Sequence, residues 1–380
     1  MHRLTAVIAG LSLAFFGTSS TIATTINVPV DYSTIQDAID ASADGDVIQI
    51  APGTYHEHTL NPGGKAITIQ GALNGDGSLA TTIDAQQAGS VFVLISEEAD
   101  TTVIRDLVIT GGTGFNVIGN GSIGGGGICC GLTSTPTIVG CTVTGNEAWF
   151  GGGIFTAGPV SINDCKITNN EAISGGGIYC LASMSTINGC TIEGNVATSE
   201  GGGLHGYAGG EWTISGCTIV GNTAVDNGGG IRCSLSIANI SDSTISGNSA
   251  GDGGGIFTTT TTTISDCTIS ENTAGGGIRS YSSHLITILS TNICGNASDQ
   301  IWGNNWTDGG GNCVQDSCDD CGAAPCPADY DGNGVIEGPD LTQLLGAWNT
   351  TNEELDLTGD GLINGPDLTV LLGGWGACGG

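Results

Sequence analysis

The chain has 380 residues, with 37 Asp and Glu against 6 Lys and Arg, which gives a formal net charge of −31. Nucleic acid is not expected as a partner, because phosphate binding needs clustered cations. The same balance disfavours direct capture of polyanionic sugars or anionic lipid, unless a bound cation bridges the two. Aromatic residues make up only 5%, so a conventional globular core is not expected.

The first residues have the order of an export signal. His2 and Arg3 precede an apolar run from Leu4 to Phe16, and small residues before Thr24 offer a cleavage site. This order predicts a signal peptide over 1–23. The run is too short for a normal membrane span and no later segment is long enough, so we expect no span. We expect a secreted or cell-surface protein, in a compartment where disulfides form.

Residues 26–60 predict the cap of a solenoid. Ser33 and Gln36 have the spacing of a capping box ahead of a helical apolar stripe. Ile48 and Ile50 then alternate as a strand. A solenoid needs such a cover, because its first turn would otherwise expose core and edge amides.

The middle of the chain repeats with a fixed period. A Gly-Gly-Gly triplet, usually followed by Ile, recurs every 22 to 27 residues, and an Asn keeps step with it. The triplets end at Gly127, Gly153, Gly177, Gly203, Gly230, Gly255 and Gly277, and the Asn residues are Asn146, Asn170, Asn195, Asn222, Asn248, Asn272 and Asn296. Such a period means stacked units that cannot bury a core alone. Short strands without intervening helices predict an all-β parallel β-helix over 26–300, and the crossover rule favours a right-handed one.

Two stretches carry a family resemblance. The opening Val28 to Gln36 and the segment Ala51-Pro52-Gly53-Thr54-Tyr55 resemble the capped start of right-handed β-helix proteins of the pectate-lyase-like superfamily. The Asn-x-Ala and Gly-Gly-Gly-Ile turns are similar to repeats of chlamydial polymorphic outer-membrane proteins. The resemblance implies a right-handed β-helix. The superfamily includes polysaccharide lyases and hydrolases as well as adhesins. The Arg-x-Pro-x-x-Arg motif of lyases and the catalytic motifs of polygalacturonases are absent from the sequence.

One column of residues predicts a sugar-binding stripe. If the residue after each triplet points inward, the next one faces solvent. That column is Cys129, Phe155, Tyr179, His205, Arg232, Phe257 and Arg279. Aromatic and Arg side chains in a line predict glycan binding by Phe155, Tyr179, Arg232, Phe257 and Arg279. The alternative is ordinary strand residues with local cation–π packing.

A second column offers candidate catalytic acids. Glu200 and Asp252 lie just before their triplets, two turns apart, so their backbones should be separated by roughly 9.6 Å. This is near the wide end of the range that inverting glycosidases use. His205 is close in sequence and completes the candidate catalytic set. The simpler alternative is solvated turn carboxylates.

Residues 327–378 predict a small α-helical calcium module, after a Cys-rich linker over 301–326. Two twelve-residue loops offer oxygen ligands at EF-hand spacing, each followed by a Gly-Pro-Asp helix start. The first would use Asp329, Asp331, Asn333, the Val335 carbonyl, Glu337 and Asp340; the second Asp356, Thr358, Asp360, the Leu362 carbonyl, Asn364 and Asp367. The alternative is an acidic turn without Ca²⁺.

The duplicated loop-helix pattern resembles a type I dockerin. That resemblance implies calcium-dependent folding and binding to a cohesin-like protein. Two departures stand out: Thr358 replaces an acid, and Gly-Pro occupies the usual partner-recognition positions of both copies.

Twelve of the fifteen Cys fall into two columns and a cluster. Cys141, Cys165, Cys190, Cys217 and Cys267 form one column, and Cys130, Cys180 and Cys233 another. We interpret both columns as small buried hydrophobes, with a metal ladder as the alternative. Cys313, Cys318, Cys321 and Cys326 favour disulfides over zinc in an exported protein, and Cys326 and Cys378 are placed to join the ends of the calcium module.

The sequence therefore leaves two functional hypotheses. The first is an exported β-helix protein that binds polysaccharide or surface glycan, with hydrolase or lyase activity left open, and carries a calcium-binding tail for a protein partner. The second is a non-enzymatic, adhesin-like surface protein.

Overall fold

The computed structural model describes residues 23–116, 122–281, 285–303, 305–318, 328, 330, 335–352, 355–373 and 375–377. Nearly all of the predicted signal peptide lies outside the described residues. So do Asp329, Asp331 and Asn333 of the first calcium loop, and Cys321, Cys326 and Cys378.

The chain forms a right-handed parallel β-solenoid of about eleven turns, as the repeat predicts. Each full turn contributes one strand to each of up to four sheets. The first sheet contains Thr25–Val28, Val47–Ile50, Thr68–Gln70, Val103–Arg105, Thr137–Val139, Ser161–Asn163, Thr186–Asn188, Glu211–Ser215, Ile237–Ser241, Thr262–Ser265, Ile286–Leu289 and Trp306–Asp308. The second contains Gly53–Tyr55, Thr81–Asp84, Val108–Thr110, Thr142–Thr144, Lys166–Thr168, Thr191–Glu193, Thr218–Val220, Thr244–Ser246, Thr268–Ser270, Asn292–Cys294 and Cys313–Gln315.

The other two sheets flank the Gly triplets. The third sheet, which follows them, contains Phe92–Leu94, Ile128–Cys130, Ile154–Thr156, Ile178–Leu181, Leu204–Tyr207, Ile231–Ser234, Ile256–Thr258, Ile278–Ser280 and Ile301–Trp302. The fourth sheet, which precedes them, is shorter and contains Phe115–Asn116, Ile123–Gly124, Glu147–Phe150, Glu171–Ser174, Val196–Glu200 and Thr223–Ala224.

A single apolar core runs along the solenoid axis. It is built mainly from one inward Ile per strand, stacked from Ile48 to Ile293 in continuous contact. Each fully buried Ile contributes about 1.5–3 kcal/mol relative to exposure. The columns of free Cys are buried in or against this stack, so their interpretation as small hydrophobes is confirmed.

The N-terminal turn is closed by a short helix, α1 (Ile35–Ala41), whose Ile35, Ala38 and Ile39 are buried. Its N-cap is Thr34, one residue after the predicted Ser33, and the Thr34 hydroxyl accepts from the Asp37 amide at 3.1 Å. Glu57 accepts from the Ile35 amide at 2.8 Å and so satisfies another donor of the helix start.

A buried Asn ladder links the turns next to the Gly triplets. In each turn the side-chain amide of the Asn donates to an Ile or Val carbonyl of the previous turn and to the side-chain oxygen of the Asn in the next turn. For Asn222, Nδ2 lies 2.9 Å from the Ile192 oxygen and 3.0 Å from Asn248 Oδ1. Gln300 ends the ladder, because its Oε1 accepts from Asn296 Nδ2 at 2.7 Å.

The predicted linker over 301–326 is wrong in its first half. Residues 301–315 form three more parallel strands, which pair with the previous turn at Ile278↔Ile301, Ile286↔Trp306 and Asn292↔Cys313. The solenoid therefore continues for one turn beyond residue 300, because this turn keeps the strand pattern after the Gly triplet has disappeared.

The C-terminal residues form a separate small core. Helices α2 (Gly338–Gly346) and α3 (Gly365–Gly373) bury Leu344 and Leu371 at equivalent positions, with Ile336 and Ile363 beside them. Val335–Ile336 pairs with Gly376–Ala377 as a two-stranded antiparallel sheet that joins the two ends of the module. Among the described residues, no helix is long and apolar enough to cross a membrane.

Candidate functional site

The predicted column of residues after the triplets exists in register. Successive Cα partners connect Cys129, Phe155, Tyr179, His205, Arg232, Phe257 and Arg279 along the third sheet. We call this set, with Trp302 as its next partner, the lateral column. The prediction that it faces solvent is wrong for its first six members, which are buried outside the main core; only Arg279 and Trp302 are partly or clearly exposed.

The Gly triplets explain this burial. The first glycine of a triplet turns the chain back over the lateral column, with φ of +67° at Gly201. A Cβ added there would lie 2.6 Å from the Cβ of His205, so the turn backbone covers the side chain two residues after the triplet. The covering turn leads in from the fourth sheet, and sequence spacing alone does not show how closely it folds back.

The N-terminal half of the lateral column is packing. The Phe155 and Tyr179 rings stack in parallel with centroids 5.9 Å apart, and Phe150 of the fourth sheet lies 5.0 Å from Tyr179. Burial raises the pKa of Tyr179 well above its usual value. Phe155 and Tyr179 are thus not surfaces on which a sugar can stack, contrary to the sequence-based expectation.

The candidate catalytic His205 is enclosed. Only 3% of its surface is exposed, and its two ring nitrogens have no hydrogen-bond partner among the described residues. Burial, with a smaller contribution from Arg232, lowers its pKa to about 3. His205 is therefore a buried ring between Tyr179 and Tyr207, with its Nε2 3.9 Å from Glu200 Oε2.

Glu200 and Asp252 lie in one column, two turns apart, through the bridges to Asn227. Each carboxylate faces an arginine of the lateral column: Glu200 Oε1 lies 3.4 Å from Arg232 Nε, and Asp252 Oδ1 lies 3.0 Å from Arg279 Nη1. Asn227 also donates to Glu200 at 3.1 Å. The acids therefore act as counter-ions, and their arrangement does not resemble two carboxyl groups open to one glycosidic bond.

The C-terminal end of the lateral column is different, because Trp302 and the neighbouring Tyr281 are exposed. Tyr281 is 54% and Trp302 39% exposed, with ring centroids 4.9 Å apart. The Arg279 guanidinium lies 4.1 Å from the Trp302 centroid and 4.9 Å from that of Tyr281. The Phe257 ring continues the stack inward, 5.5 Å from Tyr281 and beneath Arg232.

These two rings border a cleft of about 600 Å³, which we call the terminal cleft. Its lining residues in the described part of the chain are Ser280, Tyr281, Asp299, Ile301, Trp302, Gly303 and Asn305. The triplet spacing did not point to Tyr281, which lies two residues beyond the column, or to Trp302, whose turn has no triplet. The sequence signal for Trp302 is the Ile301-Trp302 pair, because in the earlier turns too an inward apolar residue is followed directly by the residue of the lateral column.

The second calcium loop brings its expected carboxylates together. One oxygen each from Asp356, Asp360 and Asp367 lies within 4.8 Å of the others. The side-chain amide of Asn364 donates to Asp360 at 3.0 Å and to the Leu362 carbonyl at 3.0 Å. The residues at positions 5, 7 and 9 of the loop therefore also converge. Hard oxygen donors at this spacing fit Ca²⁺.

Position 3 of that loop has a structural role. The Thr358 hydroxyl donates to Asp367 Oδ1 at 2.9 Å and lies 3.3 Å from Asp356 Oδ1. A hydroxyl therefore bridges the first and last acids, where the repeat pattern would place a charged ligand.

The described part of the first loop has the same frame. Asp340 is buried and accepts from the Tyr330 amide at 2.8 Å and the Glu337 amide at 2.9 Å. Asp367 likewise accepts from the backbone amide of Asn364 at 2.8 Å. The two loops thus anchor their last acid in matching ways, with Val335 of the first loop in the two-stranded antiparallel sheet.

Disulfides, which the sequence favours over zinc, are confirmed for the two described cysteines of the cluster, Cys313 and Cys318. Cys318 is bonded to Cys294, outside the predicted cluster, and Cys313 is also in a disulfide. Neither thiol is available as a zinc ligand.

A family comparison agrees with this architecture. The family described as "Right handed beta helix region" matches residues 73–236 and 152–319, which together span more than half of the chain. The chain belongs to this family. No curated protein matched it.

Several solved structures are similar in fold. The pectin methylesterase from Aspergillus niger is 14% identical, with 78% of this chain and 90% of that chain covered and a TM-score of 0.39. Tailspike protein 2 from Escherichia coli O157:H7 bacteriophage CAB120 is 10% identical, with 68% and 35% covered and a TM-score of 0.39, so this chain spans about a third of its length. The GH87 alpha-1,3-glucanase from Streptomyces thermodiastaticus is 16% identical, with 74% and 65% covered and a TM-score of 0.35.

Proposed function

We propose that this protein is an exported polysaccharide-binding β-helix, which binds glycan at the terminal cleft and is attached to a protein partner through a calcium-loaded C-terminal module. The observation that carries the proposal is the pair of exposed rings, Tyr281 and Trp302, beside a polar cleft of about 600 Å³. Aromatic rings with one apolar face and polar neighbours suit the flat faces and hydroxyls of a sugar.

The proposal is for binding. Cleavage by the candidate acids is disfavoured, because Glu200 and Asp252 are each held by an arginine and His205 is enclosed. A non-enzymatic surface protein that holds glycan combines the two hypotheses raised by the sequence.

Exposed apolar side chains support attachment through the module. Leu345 and Trp348 at the end of α2 have equivalents 27 residues later, Leu372 and Trp375, and all four are between 38% and 51% exposed. Duplicated apolar patches on a small acidic module favour a protein partner, and the dockerin resemblance suggests a cohesin-like one.

Glycan binding is tested by affinity electrophoresis in gels that contain a panel of polysaccharides. Trp302→Ala should lose the retardation that the wild-type protein shows. Trp149→Ala is the matched control, since Trp149 is 48% exposed on the fourth sheet, away from the terminal cleft. Equal retardation of both variants, or none for the wild-type protein, would refute the assignment of the cleft.

Calcium binding is tested by calorimetric titration of the full chain. Asp356→Asn should weaken or abolish one binding event, because the loop loses one of three converging carboxylates. Asp100→Asn, at an exposed acid of the solenoid, should titrate like the wild-type protein. A heat signal unchanged in Asp356→Asn would contradict the assignment.

A further inference from the structure

We infer that the terminal cleft selects neutral sugar units and rejects uronate polymers, although the lateral column contains two arginines. This inference rests on the proposed function, because it names the substrate class of the same cleft. It follows from how the arginine charges are used.

Among the described residues, Arg279 is the cation nearest the cleft, and both of its terminal nitrogens are already engaged. Its Nη1 lies 3.0 Å from Asp252 Oδ1, and its Nη2 donates to the Tyr281 hydroxyl at 2.5 Å. Its planar face lies over the Trp302 ring at 4.1 Å. A uronate carboxylate would need the same fork of donors, and it would have to displace Asp252 to reach them.

The Arg232 side chain is also buried and paired with an acid. It is 8% exposed, lies over the Phe257 ring at 4.3 Å and faces Glu200 at 3.4 Å. The charge of each arginine is therefore offset by an acid of the column that precedes the triplets.

The charge that remains is negative. Asp299 is the only ionisable carboxylate among the described lining residues of the cleft, and no described lining residue is a cation. The chain as a whole carries −31. A polyanion approaching the cleft meets repulsion without a free partner for its carboxylates.

The arginine has a positioning role instead. By stacking on both exposed rings and bonding to the Tyr281 hydroxyl, Arg279 holds Tyr281 and Trp302 at an interplanar angle of 49°. Fixed rings lose little conformational freedom when a ligand binds, which favours stacking of uncharged pyranose faces.

The test uses a matched pair of polymers, polygalacturonate and the same polymer after carboxyl reduction, beside neutral glucans and mannans. Affinity electrophoresis is run with calcium present throughout. We expect the wild-type protein to bind one or more neutral polymers at least about tenfold more tightly than polygalacturonate, and Trp302→Ala to lose about tenfold on the same neutral polymer.

A second variant tests the charge argument. Asp252→Asn frees Nη1 of Arg279, so it should gain binding to polygalacturonate. Thermal unfolding midpoints near the wild-type value will show that Trp302→Ala and Asp252→Asn fold. Tyr281→Ala is a second variant that removes one of the two exposed rings.

The outcomes separate the two claims. Binding of polygalacturonate by the wild-type protein as tightly as of neutral polymers, with loss in Trp302→Ala, overturns the neutral preference and leaves the glycan-binding proposal intact. No gain on polygalacturonate in Asp252→Asn also overturns the charge argument. No binding to any polymer overturns the proposed function and this inference with it.

Discussion

Replacement of one buried asparagine should destabilise the whole solenoid more than its size suggests. Asn222 is fully buried and makes four hydrogen bonds with its side chain. Its Oδ1 accepts from the Asn195 amide at 3.0 Å and from Asn195 Nδ2 at 2.9 Å. Its Nδ2 donates to the Ile192 carbonyl and to Asn248 Oδ1. Asn222→Ala removes all four and leaves the buried Asn195 amide without this acceptor.

The expected cost follows from those bonds. A buried donor left without a partner costs about 1–3 kcal/mol, and each other lost bond about 0.5–1.5 kcal/mol. Allowing for partial relaxation, we expect Asn222→Ala to lower the free energy of unfolding by about 4 kcal/mol. Because each turn is stabilised by its neighbours, the loss should weaken the turns on both sides.

The assay is equilibrium unfolding in guanidinium chloride, followed by far-ultraviolet circular dichroism, with hydrogen exchange to localise the effect. The control is Asn188→Ala: its side chain is half-buried on the outer face of the first sheet and its Nδ2 donates to Asn163 Oδ1 at 3.2 Å. That variant should lose less than about 1 kcal/mol. If the two variants differ by less than about 1 kcal/mol, the Asn ladder does not stabilise the fold as argued.

Three further outcomes are expected. Gly201→Ala should destabilise by about 2–4 kcal/mol in the same unfolding assay, because the new Cβ is 2.6 Å from that of His205 at a φ of +67°. Gly209→Ala is the control, because Gly209 has a φ of +89° but no atom within 4 Å of the added Cβ, so it should cost less. Equal losses in the two variants would contradict the steric argument. The pKa of His205, lowered to about 3, means that the unfolded chain takes up a proton below its ordinary value of 6.5 while the folded protein does not, so stability should fall as pH drops from about 6.5 towards 3. Unfolding at pH 7 and 4.5 should show a smaller loss in His205→Gln than in the wild-type protein, and a ring that titrates near 6.5 by NMR in the folded protein would refute the burial argument. Reducing ends should not accumulate when the protein is incubated with the polysaccharide panel, and release that collapses in Glu200→Gln and Asp252→Asn would restore those acids as catalytic groups.

Sequence periodicity predicted the register of the solenoid, because each position relative to a Gly triplet has one strand geometry. Phe257 and Arg279 are Cα partners as that register requires. Exposure was not predictable in the same way. It depends on a turn that folds back over the column, as at Gly201, and on a contact with Phe150 from another sheet.

The missing turn has a related cause. Gln300 replaces the ladder Asn, and its Oε1 accepts the bonds that the next Asn would take. The sequence signal for a turn therefore ends at this point, although the strands continue to Gln315. Trp302, the most useful residue for a glycan-binding hypothesis, lies in that unmarked turn.

The position of the terminal cleft follows from one short sheet. Strands of the fourth sheet end at Thr223–Ala224, and beyond them single bridges reach only Ala274. The third sheet continues to Ile301–Trp302. The lateral column therefore has its neighbouring sheet along its N-terminal members and loses it at Arg279 and Trp302. The column position that is packed in Phe155 and Tyr179 is therefore open in Trp302. Tyr281 lies two residues after Arg279, as Tyr207 does after His205, and both tyrosines are exposed. Extending the fourth sheet by one turn should therefore cover Trp302 and, under the proposed function, weaken glycan binding while leaving the core unchanged.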